Sequence, residues 1–363
     1  MGEPDFEPPR FVLEAAKRAI DEGASKYTAV TGILPLRKAI CERTERLRGY
    51  APTPDQVCVS VGAKHALFNL ALALYEPGDE VIIPAPYWVS YPEQVRMMGA
   101  TPVIVSTRED EAWRMSPEAL RSAITAKTKA IILCSPCNPT GIAYSEAELR
   151  GLLEVVRDSD AWFIADEIYA DLLYDNRRHA SPLALAPDLA DRVVLVDGLA
   201  KSYAMTGWRI GWAVGPTHLI KALDLVQGQS TTNATAVAQH AAVAALTGPQ
   251  DEVRAMRDAF ERRRNVMLEE LNAVPGIRCR VPDGAFYAFA DVRGLLGLVT
   301  GGGPLVGDAD VSRFFLESAH VASVPGSAFG MPGYVRFSYA TGEDRIRGGA
   351  ASLRRAIAGA TRP

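Results

Sequence analysis

Cysteine is scarce and odd in number: Cys41, Cys58, Cys134, Cys137 and Cys279 are the five in 363 residues. In a chain this long that excludes a disulfide framework, so reduced and buried thiols are expected. Histidine is equally thin, with five residues dispersed at 65, 179, 218, 240 and 320, and no second pair of ligands stands at zinc-site spacing, so no metal is expected. Long apolar runs are missing, and the opening MGEPDFEPPRF has neither a basic n-region nor an apolar h-region, which points to a cytoplasmic address. Neither sign of charge dominates. The formal net charge is -4 with Lys and Arg scattered, which excludes the electrostatic footprint of a nucleic-acid or anionic-membrane binder.

What the chain does have is apolar content, 48% of its residues, enough for a large core. From about residue 55 β-rich runs alternate with helix-period runs. QVCVSV is followed by KHALFNLALALY, where Leu67, Leu70 and Leu74 share a face. Further strands are expected at 80–84, 101–106, 129–134, 161–165, 192–197 and 210–215. Several are apolar throughout, as strands covered on both faces should be. This is an α/β pattern: an open, mostly parallel seven-stranded sheet covered by helices, with ligands expected outside the carboxyl ends of the strands. After Gly248 the pattern changes to a long charged helix over roughly 250–273, strands near 277–290, a Gly-rich interruption TGGGPLVGD and a closing helix EDRIRGGAASLRRAIA. The division expected is a large domain at 10–248 and a smaller α+β domain at 249–363 with residues 1–9. The Gly-rich interruption reads as a mobile surface connection whose glycines do not open a helix, not as a phosphate cradle.

Polar residues then cluster at strand ends. The strand at 129–134 runs into SPCNPTG with Asn138, the strand at 161–165 into Asp166-Glu167 with Tyr169, and the strand at 192–197 into DGLAK with Lys201. Singly each suits a turn or cap. Together they deliver an amide, a carboxylate, a phenol and an amine to one rim. In VSVGAKHAL a strand ends at Gly62 and a helix begins at once, so the backbone N–H groups of Gly62, Ala63 and Lys64 offer an anion site. In GLAKSYAMTGWRIG, Lys201 sits in a small-residue turn and Arg209 opens the next strand. An amine for imine chemistry needs such a turn and partial desolvation, and an arginine fork can hold a phosphate. The CSPC spacing of Cys134 and Cys137 also admits a thiol redox pair.

GLAKSYAMTGWRIG resembles, position for position, the lysine motif of the class I aminotransferases, the fold-type I pyridoxal-phosphate enzymes. Similar blocks cover nearly the whole chain, among them YTAVTGILPLRKAI, SPCNPTG, ADEIYADLLYD, DGAFYAF and VRFSYAT. They look most like bacterial aspartate aminotransferases of subgroup Ib. The resemblance implies pyridoxal 5'-phosphate as cofactor, an L-amino acid and a 2-oxo acid as substrates in a ping-pong cycle, and a homodimer with shared sites. By similarity Lys201 holds the cofactor as an imine and acts as general base. Asp166 pairs with the pyridinium nitrogen, Tyr169 and Asn138 face the ring's 3′ oxygen, and Trp88 stacks on the ring, with Tyr87 the other candidate. Gly62, Ala63, Lys64 and Arg209 form the phosphate cup, and Tyr27 serves the partner subunit's phosphate. Arg336 clamps the substrate α-carboxylate, along which the Gly2 backbone and Asn138 lie, and Lys64 faces a distal carboxylate.

Aspartate or glutamate with 2-oxoglutarate or oxaloacetate is the expected substrate set. Prephenate, aromatic and methionine aminotransferases share much of the pattern and stay open. The family often has Ser or Thr just before the lysine, where this chain has Gly198, Leu199 and Ala200, so phosphate holding falls more on Arg209 and the helix N-terminus. Relatives carry a segment before GEPDF, and its absence here with reduced stability or activity is a further expectation. β-Elimination or racemisation on the same scaffold, a cofactor-binding regulator and a thiol oxidoreductase are the competing readings.

Overall fold

In the computed structural model residues 2–361 are described. Among them, seven strands build one sheet: β1 (Val57–Val61), β2 (Glu80–Ala85), β3 (Thr101–Ser106), β4 (Thr128–Cys134), β5 (Trp162–Asp166), β6 (Val193–Gly198) and β7 (Ile210–Val214), in the order β1-β7-β6-β5-β4-β2-β3. β7 is antiparallel to both of its neighbours and the other pairs are parallel. The expected α/β sheet is present. Each strand segment read from the sequence forms a strand, the one expected at 161–165 ending a residue later so that Asp166 closes β5. Burial explains the uniform apolar runs: β6 and β7 are buried along their whole length, so both faces are covered.

The helices of the first quarter are α1 (Arg10–Asp21), α2 (Leu34–Arg48), α3 (Ala63–Leu74) and α4 (Ser90–Met97). Gly49, at φ 70°, ends α2 in the left-handed conformation that favours glycine. Further along, Ser145 and Glu148 make a reciprocal capping box at the start of the helix Glu146–Arg157, which leads into β5.

Beyond residue 250 come the long helix Asp251–Asn272, β8 (Arg278–Cys279), β9 (Tyr287–Asp291), β10 (Val299–Thr300), β11 (Gly303–Pro304), the helix Asp308–Ala319, β12 (Val324–Pro325), β13 (Tyr334–Ser338) and the helix Glu343–Ala358. A four-stranded antiparallel sheet has the order β12-β13-β9-β8. The Gly-rich interruption folds as the β10–β11 hairpin. Contrary to expectation, its Gly307 does open a helix: it is the N-cap of Asp308–Ala319, where the Asp310 carboxylate accepts the Gly307 N–H at 3.1 Å.

The N-terminal stretch is pinned across the molecule. Asp5 pairs with Arg263 at 2.6 Å and Phe6 packs edge-on against Phe260, which holds Gly2 over the rim of the large sheet. All five thiols are free, and no helix among the described residues is long and apolar enough to cross a membrane.

Candidate active site

A cavity of about 460 Å³ opens at the carboxyl ends of β4, β5 and β6. Ala63, Lys64, Trp88, Asn138, Asp166, Tyr169, Lys201, Arg209, Arg336 and Gly2 all line it, so residues scattered over the whole sequence meet at one place. Gly62 stands directly behind Arg209. Tyr27 is not part of the cavity: its side chain is 89% exposed.

Lys201 lies in the short loop between β6 and β7, and its Nζ donates to the Gly2 carbonyl. Burial, then the nearby positive charge of Arg209, lower its pKa to about 8. A sizeable fraction is therefore neutral near physiological pH. That is the form that attacks a carbonyl carbon or accepts a proton.

Asp166 closes β5 at the cavity floor, 3% exposed. Tyr91 donates to its Oδ2 at 2.5 Å and the Ile168 N–H to its Oδ1 at 3.2 Å. Burial nevertheless pushes its pKa up to about 6. A buried carboxylate held up by desolvation is complementary to a cation placed in the cavity, which would restore its charge.

Asn138, on the loop after β4, accepts from Arg336 Nη1 at 2.8 Å. The Arg336 guanidinium lies 4.3 Å from the centre of the Tyr287 ring and 5.0 Å from that of Phe329. Its Nε is buried with no partner among the described residues. An unpaired guanidinium N–H in a closed site is a strong signal for a carboxylate ligand. Tyr169 OH stands 2.9 Å from Tyr287 OH, and burial holds the Tyr169 phenol well above its ordinary pKa, so it stays protonated.

Trp88, not Tyr87, lines the cavity, and Lys64 Nζ lies 4.9 Å from its ring centre. Behind them β1 passes into α3 at Gly62, whose φ is +87° and whose added Cβ would fall 2.5 Å from Arg209 Nη2. On β7, a Cβ on Gly211 would fall 2.1 Å from the Ala63 nitrogen. Two glycines thus let the α3 N-terminus, Arg209 and β7 come together. The resulting corner, with the Ala63 and Lys64 N–H groups at the start of α3 and a guanidinium, suits a phosphate, whereas the Gly62 N–H, expected to share in it, donates to the Ser60 carbonyl at 2.8 Å.

Pyridoxal phosphate, expected from the resemblance, fits this set. There is an amine for its aldehyde, a desolvated carboxylate for its ring nitrogen, an indole for its face, a cationic corner for its phosphate, and a guanidinium with an unpartnered Nε for the substrate carboxylate. Sequence reasoning missed Tyr91, Tyr287 and Phe329. Tyr91 lies in PYWVSYPE, which reads as ordinary aromatic core, and Tyr287 in DGAFYAF, whose repeated aromatics were the one hint; Phe329, a single aromatic in PGSAFGMPG, carried no signal.

Comparison with known proteins gives the family. A family model described as aminotransferase class I and II matches residues 1–350. An aspartate/prephenate aminotransferase of Cereibacter sphaeroides is 46% identical over 360 residues, covering 99% of this chain and 90% of the relative. An aspartate aminotransferase of Rhizobium meliloti is 46% identical over 348 residues, covering 95% and 85%. Among solved structures, the aspartate aminotransferase from Rhizobium meliloti superposes with a TM-score of 0.97 at 44% identity, covering 99% of this chain and 91% of that one. The aromatic aminotransferase from Pyrococcus horikoshii gives 0.92 at 36% identity, covering 99% and 94%.

Proposed function

Because the chain belongs to the class I and II aminotransferases, we propose that it is a pyridoxal phosphate-dependent enzyme moving the amino group of aspartate or glutamate to 2-oxoglutarate or oxaloacetate in a ping-pong cycle. The observation that carries this is the convergence of Lys201, Asp166 and Arg336 on one cavity. The cofactor supplies an electron sink for the carbanion electrons at the substrate α-carbon.

The protein's residues do the rest. Lys201 Nζ holds the cofactor and, once released, takes the proton from the α-carbon, which its depressed pKa permits. Asp166 keeps the ring nitrogen protonated. Tyr169 and Asn138 donate toward the ring's 3′ oxygen, and Trp88 covers its face. Arg209 with the N–H groups of Ala63 and Lys64 holds the phosphate, and Gly62 gives the room for their approach. The Arg336 fork, backed by the Asn138 amide, orients the α-carboxylate. Lys64, over the Trp88 ring, is placed for a second carboxylate.

The same proposal includes a homodimer in which Tyr27 reaches the partner's site, a cytoplasmic setting, and the division at 10–248 and 249–363 with 1–9. The cavity wall also includes Leu67, Val324 and Phe329, which favours prephenate or an aromatic amino acid as the second reading.

Purified protein should carry a visible absorbance that shifts on adding aspartate but not an aromatic amino acid, with a keto acid formed and no ammonia released. Lys201→Ala should abolish both signals and Cys137→Ser neither. Ammonia release would turn the assignment to elimination, and an active Lys201→Ala enzyme would defeat it.

A further inference from the structure

Tyr287, on β9, lines the same cavity and has no part in the reaction as described above. Its side chain is 1% exposed, so its hydroxyl needs a protein partner. Tyr169 OH, at 2.9 Å, is that partner. The face of its ring lies under the Arg336 guanidinium, and a Cβ on Gly2 would come within 3.0 Å of its hydroxyl. One side chain therefore touches the phenol, the arginine and the N-terminal segment over the site.

We propose that Tyr287 is a positioning residue: its O–H donates to the Tyr169 oxygen, leaving the Tyr169 proton aimed into the cavity, while its ring seats Arg336. The inference rests on the functional reading of Tyr169 and Arg336 given above. A phenol has one proton and two lone pairs, so a donor arriving at its oxygen fixes where its own proton goes and polarises that O–H. Arg336 on the ring face is held by cation–π attraction while Nη1 is fixed on Asn138, and its buried Nε keeps an unused donor. The other charged or titratable groups facing the pair are Cys134 at the end of β4 and Lys201, whose Nζ lies 5.9 Å from the centre of the Tyr169 ring.

The test uses the holoenzyme and follows the pH midpoint of its lysine-dependent visible chromophore. Tyr287→Phe weakens Tyr169 as a donor to the cofactor's ring oxygen, so the imine proton is held more tightly and the midpoint rises by about half a unit. In a Tyr169→Phe background the same change adds no shift. Gly2→Ala, which crowds the hydroxyl from outside the core, moves the midpoint in the same sense. Tyr287→Leu, which also removes the ring, weakens succinate binding about tenfold, and Tyr287→Phe leaves it unchanged. An unmoved midpoint in Tyr287→Phe, an equal shift with and without the Tyr169 hydroxyl, or equal succinate affinity in the Phe and Leu variants overturns the inference alone. Absence of any lysine-dependent chromophore in the unsubstituted protein removes the functional reading, and this inference with it.

Discussion

Arg48 Nε lies 2.8 Å from Glu167 Oε2 beneath the cavity floor, with both side chains at most 4% exposed. The same guanidinium reaches Asp171 at 3.2 Å and Asp197 at 3.1 Å. Glu167 follows Asp166, Asp171 lies just past Tyr169, and Asp197 shortly precedes Lys201. One arginine at the end of α2 thereby ties together two stretches, 166–171 with the carboxylate and the phenol, and 197–201 with the amine. Arg48→Met leaves a cluster of buried carboxylates short of a cation, and the expected loss of stability is roughly 3–5 kcal/mol, read by denaturant melts. A loss under about 1 kcal/mol would show the cluster to be solvated.

Asp166 gives a pH dependence with a definite sign. Its folded pKa, about 6, is raised above the ordinary 3.8 by burial. Between those values the unfolded chain has released the proton that the folded chain keeps, so cofactor-free protein loses stability as pH rises through that window. Asp166→Asn should therefore stabilise the cofactor-free protein at pH 7.5 by roughly 2 kcal/mol, with the gain shrinking toward pH 4.5. Turnover of the loaded enzyme should fall at least about a hundredfold, because the ring nitrogen loses its counter-charge. Thermal melts at the two pH values decide; an equal gain at both would dismiss the titration.

Arg336 and Lys64 should separate in steady-state kinetics. Arg336→Lys keeps the charge but not the fork, and kcat/KM should drop about a hundredfold for every amino acid tried. Lys64→Gln should raise KM for aspartate about tenfold while an aromatic substrate is little affected. A uniform loss across both substrates on Lys64→Gln would place that residue on the phosphate instead.

Gly211→Ala tests the close approach behind the phosphate corner. Its Cβ would stand 2.1 Å from the Ala63 nitrogen and 2.5 Å from the Gly62 carbonyl carbon, all backbone, so α3 or β7 must shift. The expected cost is about 1–3 kcal/mol, with weaker cofactor retention on dialysis. A variant with unchanged melting temperature and retention would mean the strand has slack here.

The sheet was legible because its inner strands, β6 and β7 above all, are covered on both faces and so write their burial as uninterrupted apolar runs, whereas the edge strand β3 is half-exposed. Lys201, Asp166, Asn138 and Arg209 were legible at strand ends, where polar residues serve no core, and their roles came from the motif. The Arg48 cluster was not. Arg43 and Arg48 stand among other charged residues on α2 and drew no reading, yet both are buried, since their carboxylate partners arrive from the β5 and β6 regions far along the chain. Tyr91 and Tyr287 were hidden for a related reason: a buried tyrosine and a site tyrosine look alike until the partner of the hydroxyl is known. The capping role of Gly307 was lost in a run of glycines whose boundaries carry no periodic signal.

The antiparallel direction of β7 has a further consequence. Because β7 starts at the rim where β1 and β6 finish, the chain from Gly198 to Ile210 never crosses the sheet, and Lys201 and Arg209 ride on one short loop anchored at both ends in the same seam. The spacing between amine and guanidinium is thus a local property of the chain. Insertions, deletions or rearrangements elsewhere in the molecule can reshape what enters the cavity while this spacing is inherited intact.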